Sequence, residues 1–120
     1  MAKIMIVDDN RDIAETLMNI MDIEKHETEI AYNGEEFIEK VDKFKPDLVL
    51  LDVMMPGLKT KDILAKLKEK KMEHLKIILV TGVRFSEEER KLLINEFKIK
   101  DYITKPFEVP EIIKRVRILL

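Results

Sequence analysis

Three acids, a threonine and a lysine recur at comparable places in this 120-residue chain, each just after a short apolar run. Asp8 and Asp9 follow Ile4-Met5-Ile6-Val7, Asp52 follows Leu48-Val49-Leu50-Leu51, Thr81 follows Ile77-Ile78-Leu79-Val80, and Lys105 comes shortly after Tyr102-Ile103. Three carboxylates gathered in one place repel one another and push at least one pKa upward unless a cation neutralises them. With oxygen ligands only, and no Cys or His in the set, a hard ion such as Mg²⁺ (or Mn²⁺) suits them better than Zn²⁺. Each residue alone has an ordinary explanation. Asp8, Asp9 or Asn10 could cap a helix, Asp52 could be a turn residue, Thr81 could bond local backbone, and Lys105 could be an exposed lysine. Taken together, an acid pair, a strand-terminal Asp, a Thr and a Lys at four strand ends make accident a poor account.

These residues meet only if the elements around them bring their strand ends to one edge. Lys3 to Val7 reads as a strand, and Ile13, Leu17, Ile20 and Met21 recur at helical spacing after it. Glu27 to Ala31 reads as a second strand, Asn33-Gly34 as a turn, and Phe37, Ile38 and Val41 as one stripe of a helix. Leu48 to Leu51 is apolar without interruption, as in a central strand covered on both faces. Ile63, Leu64 and Leu67 mark the third helix. Lys76 to Val80 forms a fourth strand, Ser86-Glu87-Glu88-Glu89 has the form of a capping box, and Leu92, Leu93 and Phe97 form the stripe that follows. Tyr102-Ile103 lies in a fifth strand, and Pro110 near a helix start precedes Ile112, Ile113, Val116 and Leu119. Five βα units predict one α/β domain over residues 1–120, doubly wound, with a parallel sheet and helices on both faces. In such sheets the site lies at the carboxyl ends of the strands.

Bulk properties narrow the function. The formal charge of −2 and a pI near 5.8 lack the basic footprint of nucleic-acid or anionic-membrane binding, so no direct nucleic-acid or membrane partner is expected. The absence of Cys rules out disulfides and thiolate metal sites and fits a cytoplasmic setting. The N-terminal apolar run stops at Asp8-Asp9, too early for a signal peptide or a membrane span.

The segments Val7-Asp8-Asp9-Asn10, Leu50-Leu51-Asp52-Val53-Met54-Met55-Pro56-Gly57, Val80-Thr81-Gly82 and Lys105-Pro106-Phe107 resemble the signatures of response-regulator receiver domains. The resemblance spans essentially the whole chain. It implies a flavodoxin-like sheet of order 2-1-3-4-5 with five helices, an order carried over from chemotaxis receivers. It also implies that Asp52 accepts a phosphoryl group from a phosphohistidine on a sensor histidine kinase or histidine phosphotransfer protein. Mg²⁺ would be held by Asp9, Asp52 and the backbone carbonyl of Met54, with Asp8 acting through water. Lys105, after a cis peptide to Pro106, would offset phosphoryl charge, and Thr81 would hydrogen-bond the phosphoryl group. Thr81 and Tyr102 would relay the change to the face of the fourth helix, fifth strand and fifth helix, toward a downstream output protein or domain. A homodimer formed on phosphorylation is a further implication. For Tyr102, the plain alternative is a half-buried strand aromatic that stays in place.

Two departures from the family pattern stand out. The positions two residues after Asp52 and after Thr81 are the apolar Met54 and Val83, neither able to hold an attacking water, which predicts slow self-dephosphorylation. Leu58-Lys59-Thr60-Lys61 replaces the Asp-Gly many relatives carry, and Thr60 is expected to cap the third helix instead. Rival functions fit less well. A haloacid-dehalogenase-like phosphatase needs an Asp where Met54 stands, and Asp8-Asp9 would repel a flavin phosphate. The remaining alternative is a receiver-fold interaction module independent of phosphorylation. His26 and His74 are expected at the surface, outside the site.

Overall fold

The alternation of short apolar runs with helical stripes is realised as five strands and five helices in strict succession. The computed structural model describes residues 2–53, 60–72 and 74–120. Strand β1 (Lys3–Val7) leads into α1 (Arg11–Ile23), β2 (Glu27–Ala31) into α2 (Gly34–Phe44), and β3 (Leu48–Leu51) is followed by α3 (Thr60–Glu69). Strand β4 (Lys76–Thr81) leads into α4 (Glu87–Phe97), and β5 (Asp101–Thr104) into α5 (Val109–Leu119). All strand pairs are parallel and the sheet order is β2-β1-β3-β4-β5. The flavodoxin-like arrangement expected from the sequence is therefore present.

Because side chains alternate across a strand, the apolar runs feed two cores. Met5, Val7, Val49, Leu51, Ile77 and Leu79 point to one face, where Phe37 and Val41 of α2 and Ile63, Leu64 and Leu67 of α3 cover them. Ile4, Ile6, Leu48, Leu50, Ile78, Val80 and Ile103 point to the other, under Ala14, Leu17, Ile20 and Met21 of α1 and Ile112 and Val116 of α5. All four residues of β3 are buried, as a central strand covered on both faces requires.

Local signals set the helix starts. The Asn10 side chain accepts the Ile13 amide at 3.2 Å, so Asn10 caps α1. Asn33, read in the sequence as turn chemistry, caps α2 by accepting the Glu36 amide at 2.8 Å. Ser86 and Glu89 complete the reciprocal capping box of α4. Thr60 is the first residue of α3, and residues 54–59 lie outside the described residues, so the loop expectation at Leu58-Lys59 is not addressed.

Two expectations need correction. Leu92 is 45% exposed, and in α4 it is Leu93 that packs on the core. His26 is half-buried rather than a surface residue, its Nδ1 accepting the Ala2 amide at 3.1 Å where β1 and β2 begin, whereas His74 is exposed. Among the described residues, no helix is long and apolar enough to cross a membrane.

Candidate functional site

Among the described residues, three polar or charged side chains are buried: Asp8 (1% exposed), Asp52 (5%) and Thr81 (0%). They occupy the carboxyl ends of three neighbouring strands, β1, β3 and β4. Register explains their proximity. Val7 pairs with Leu51 and Leu51 with Leu79, so Asp8 and Asp52 emerge side by side and Thr81 ends the neighbouring β4 at the same edge. The Asp52 amide donates to the Val7 carbonyl at 2.9 Å, and the Asp8 amide to the Ala31 carbonyl at 3.1 Å. Because Asn10 caps α1, neither acid before it is used for that purpose.

Lys105 enters the same edge from β5. Its amide donates to the Thr81 carbonyl at 2.8 Å, and the Lys105–Pro106 peptide bond is cis. Its Nζ donates to Asp8 Oδ2 at 2.7 Å and to Asp52 Oδ2 at 3.0 Å. Burial alone would lower the Lys105 pKa, but the hydrogen bonds and charges of Asp8 and Asp52 outweigh it and hold the ammonium above its ordinary value. Asp8 moves the other way from most paired acids. Burial pushes its carboxyl above the ordinary value and the Asp52 charge adds to the rise, against the opposing pull of Lys105 and the Asn10 amide.

Asp9 is exposed and completes a group in which Asp8, Asp9 and Asp52 each offer an oxygen within 4.8 Å of the others. Three carboxylates against one ammonium leave two negative charges, which a divalent cation would balance. The all-oxygen donor set fits a hard ion such as Mg²⁺. Met54, the expected backbone ligand, lies outside the described residues.

The remaining site residues form a second layer. Thr81 Oγ1 accepts the Val83 amide at 3.2 Å. The half-buried Tyr102 donates its phenolic hydroxyl to the Val83 carbonyl. The Val83 backbone thus joins the two residues expected to act as a switch pair, through a contact between β5 and the loop after β4 that periodicity cannot reveal. Phe85 packs edge-on to the Tyr102 ring at 5.6 Å, and the Arg90 guanidinium lies 5.0 Å above it. Sequence reading also missed Arg11, whose guanidinium stacks on Tyr32 beside the acid pair. An Arg directly after the acids was the available signal.

Comparison with known proteins gives concordant matches. Residues 4–117 match the family model described as the response regulator receiver domain. The chain is 36% identical over its whole length to the transcriptional regulatory protein CpxR of Klebsiella pneumoniae, and spans 50% of the length of that curated relative. A solved structure of the response regulator protein TrrA from Thermotoga maritima, in complex with Mg²⁺-BeF, superposes with a TM-score of 0.82 at 33% identity, covering 100% of both chains. The chemotaxis protein CheY4 of Vibrio cholerae, at 24% identity, shares the fold with a TM-score of 0.89 over 100% of this chain and 99% of its own.

Proposed function

Because this chain belongs to the response regulator receiver family of two-component signalling, we propose that it is a phosphoryl-accepting switch with Asp52 as the acceptor. One observation carries the reading: the buried polar side chains among the described residues are Asp8, Asp52 and Thr81, gathered at one sheet edge and joined there by Lys105. Burying such groups is costly, and a fold retains them where they have work to do.

In this reading an Asp52 carboxylate oxygen attacks phosphorus, and the donor, a phosphohistidine of a sensor kinase or phosphotransfer protein, departs with the electrons of the broken bond. Asp9 and Asp52, with the Met54 carbonyl, would hold Mg²⁺ or Mn²⁺, with Asp8 contributing through water. A bound divalent ion would supply charge neutralisation at the phosphoryl oxygens. Lys105 gives up its contact with Asp52 Oδ2 to meet an oxygen of the incoming group, and the Thr81 hydroxyl hydrogen-bonds another. That the Thermotoga relative was solved in complex with Mg²⁺-BeF supports a divalent ion as the cofactor of this reading. Thr81 and Tyr102, already bridged by Val83, pass the change to α4, β5 and α5, where an output domain or a second protomer docks.

Incubation with acetyl phosphate and Mg²⁺ is expected to add one phosphoryl group per chain by intact mass, and none when the ion is chelated. Equal uptake without a divalent ion contradicts the reading, and no uptake under either condition favours a phosphorylation-independent interaction module. The lifetime of the product is a second prediction. Val83 is apolar and both its backbone groups are engaged, and the side chain of Met54 is apolar as well. The phosphoryl group is therefore expected to persist for minutes or longer after donor removal, and loss within seconds contradicts this.

A further inference from the structure

Arg11 is the first residue of α1, where the helix dipole favours acidic over basic side chains. Helix stability therefore does not account for an arginine two residues after Asp9. The side chain is exposed, and its guanidinium carbon lies 4.4 Å from the centroid of the Tyr32 ring. Among the described residues Arg11 forms no ion pair or hydrogen bond, so stacking alone orients it and its N–H groups are available. Tyr32 is a fixed platform: it is half-buried against the core under α1 and α5. It also directly follows Ala31, whose carbonyl accepts the Asp8 amide. The stacked pair is thus tied to the strand ends that carry the acids, at the rim of the site.

We propose that Arg11, held flat on Tyr32, selects among phosphodonors by binding the anionic leaving group of a small acyl phosphate. The inference rests on Asp52 being the acceptor. With acetyl phosphate, an Asp52 oxygen forms the new bond to phosphorus, the bridging P–O bond breaks, and its electron pair leaves on acetate as a carboxylate. In-line displacement puts that leaving oxygen on the side of phosphorus away from Asp52, toward the rim. Lys105 is committed to the inner oxygens, so the rim needs its own cation. A guanidinium offers paired, coplanar N–H donors that match a carboxylate, and stacking fixes the plane before the donor arrives. Phosphoramidate, whose leaving group departs as neutral ammonia, presents no carboxylate for Arg11 to hold.

The test is a time course of phosphoryl uptake by intact mass, with Mg²⁺, for wild type, Arg11→Ala and Tyr32→Leu, each with acetyl phosphate and with phosphoramidate. Arg11→Ala is expected to slow uptake from acetyl phosphate about fivefold, the scale of one solvent-exposed charged contact, and uptake from phosphoramidate by less than about twofold. Tyr32→Leu, which keeps an apolar body but removes the ring, is expected to shift donor preference in the same direction by a smaller factor. The difference between donors should shrink as salt is raised. An unchanged rate in Arg11→Ala, or equal slowing with both donors, overturns the inference while leaving Asp52 as the acceptor. No uptake by wild type from either donor overturns the acceptor role and this inference together.

Discussion

Replacing Lys105 with methionine is expected to slow phosphoryl uptake at Asp52 roughly 10²–10³-fold, the usual loss when a preorganised charge partner is removed from developing transition-state charge. It should also destabilise the metal-free fold by about 3 kcal/mol, because Asp8 and Asp52 would be left buried without their common ammonium. Methionine keeps the length of the stem, so the effect reports on charge rather than packing. The Lys105 side chain is 16% exposed, enough to limit solvent screening of both contacts. Because the lysine is held above its ordinary pKa, its contribution is fully present below the unfolded value and disappears as pH rises through the folded one. Chemical denaturation with chelator present reads the stability loss, and mass spectrometry after exposure to acetyl phosphate reads the rate. A variant of unchanged stability that still takes up phosphate at the wild-type rate contradicts the assignment of Lys105.

Asp8→Asn is expected to act in opposite directions on stability and on metal binding. The Asp8 carboxyl is raised in the folded protein, first by burial and then by the Asp52 charge, even with Lys105 and the Asn10 amide pulling against it. Burial thus penalises the charged carboxylate, and a neutral isostere of the same shape is expected to raise stability in the absence of divalent ions. The pH dependence follows in sign. A raised carboxyl costs stability above its folded pKa, and that cost is relieved as pH falls toward the unfolded value. Metal-free wild type should accordingly stabilise on mild acidification more than Asp8→Asn does. The same substitution removes one of three negative charges around the ion, and should weaken Mg²⁺ affinity about tenfold or more by calorimetry. A variant less stable than wild type, with undiminished metal affinity, contradicts the description of this edge.

Much of the architecture was legible because both faces of the sheet are covered by amphipathic helices. The unbroken apolar run Leu48 to Leu51 suits a central strand, and the stripes of α1, α2, α3 and α5 repeat at helical spacing. Asp8, Asp52, Thr81 and Lys105 were legible for a related reason: parallel strands share one carboxyl edge, so residues ending different runs must converge. What escaped depends on contacts between distant segments. That Leu92 faces solvent while Leu93 faces the core depends on how α4 seats against the sheet. His26 is half-buried because the chain start crosses it, and local composition carries no sign of that. Likewise, nothing near Tyr102 in sequence announces that its hydroxyl meets Val83 in another strand's loop, or that Arg11 meets Tyr32 beyond α1.

The central claim is that a phosphoryl group is accepted at the buried carboxylate ending β3, and its most direct measurement is peptide mapping of the acetyl phosphate-treated protein in Mg²⁺, with Asp52→Asn in parallel. The account predicts one phosphoryl group on the peptide containing Asp52 in wild type and none anywhere in the variant. A phosphoryl group on another residue, or undiminished uptake by Asp52→Asn, would contradict it.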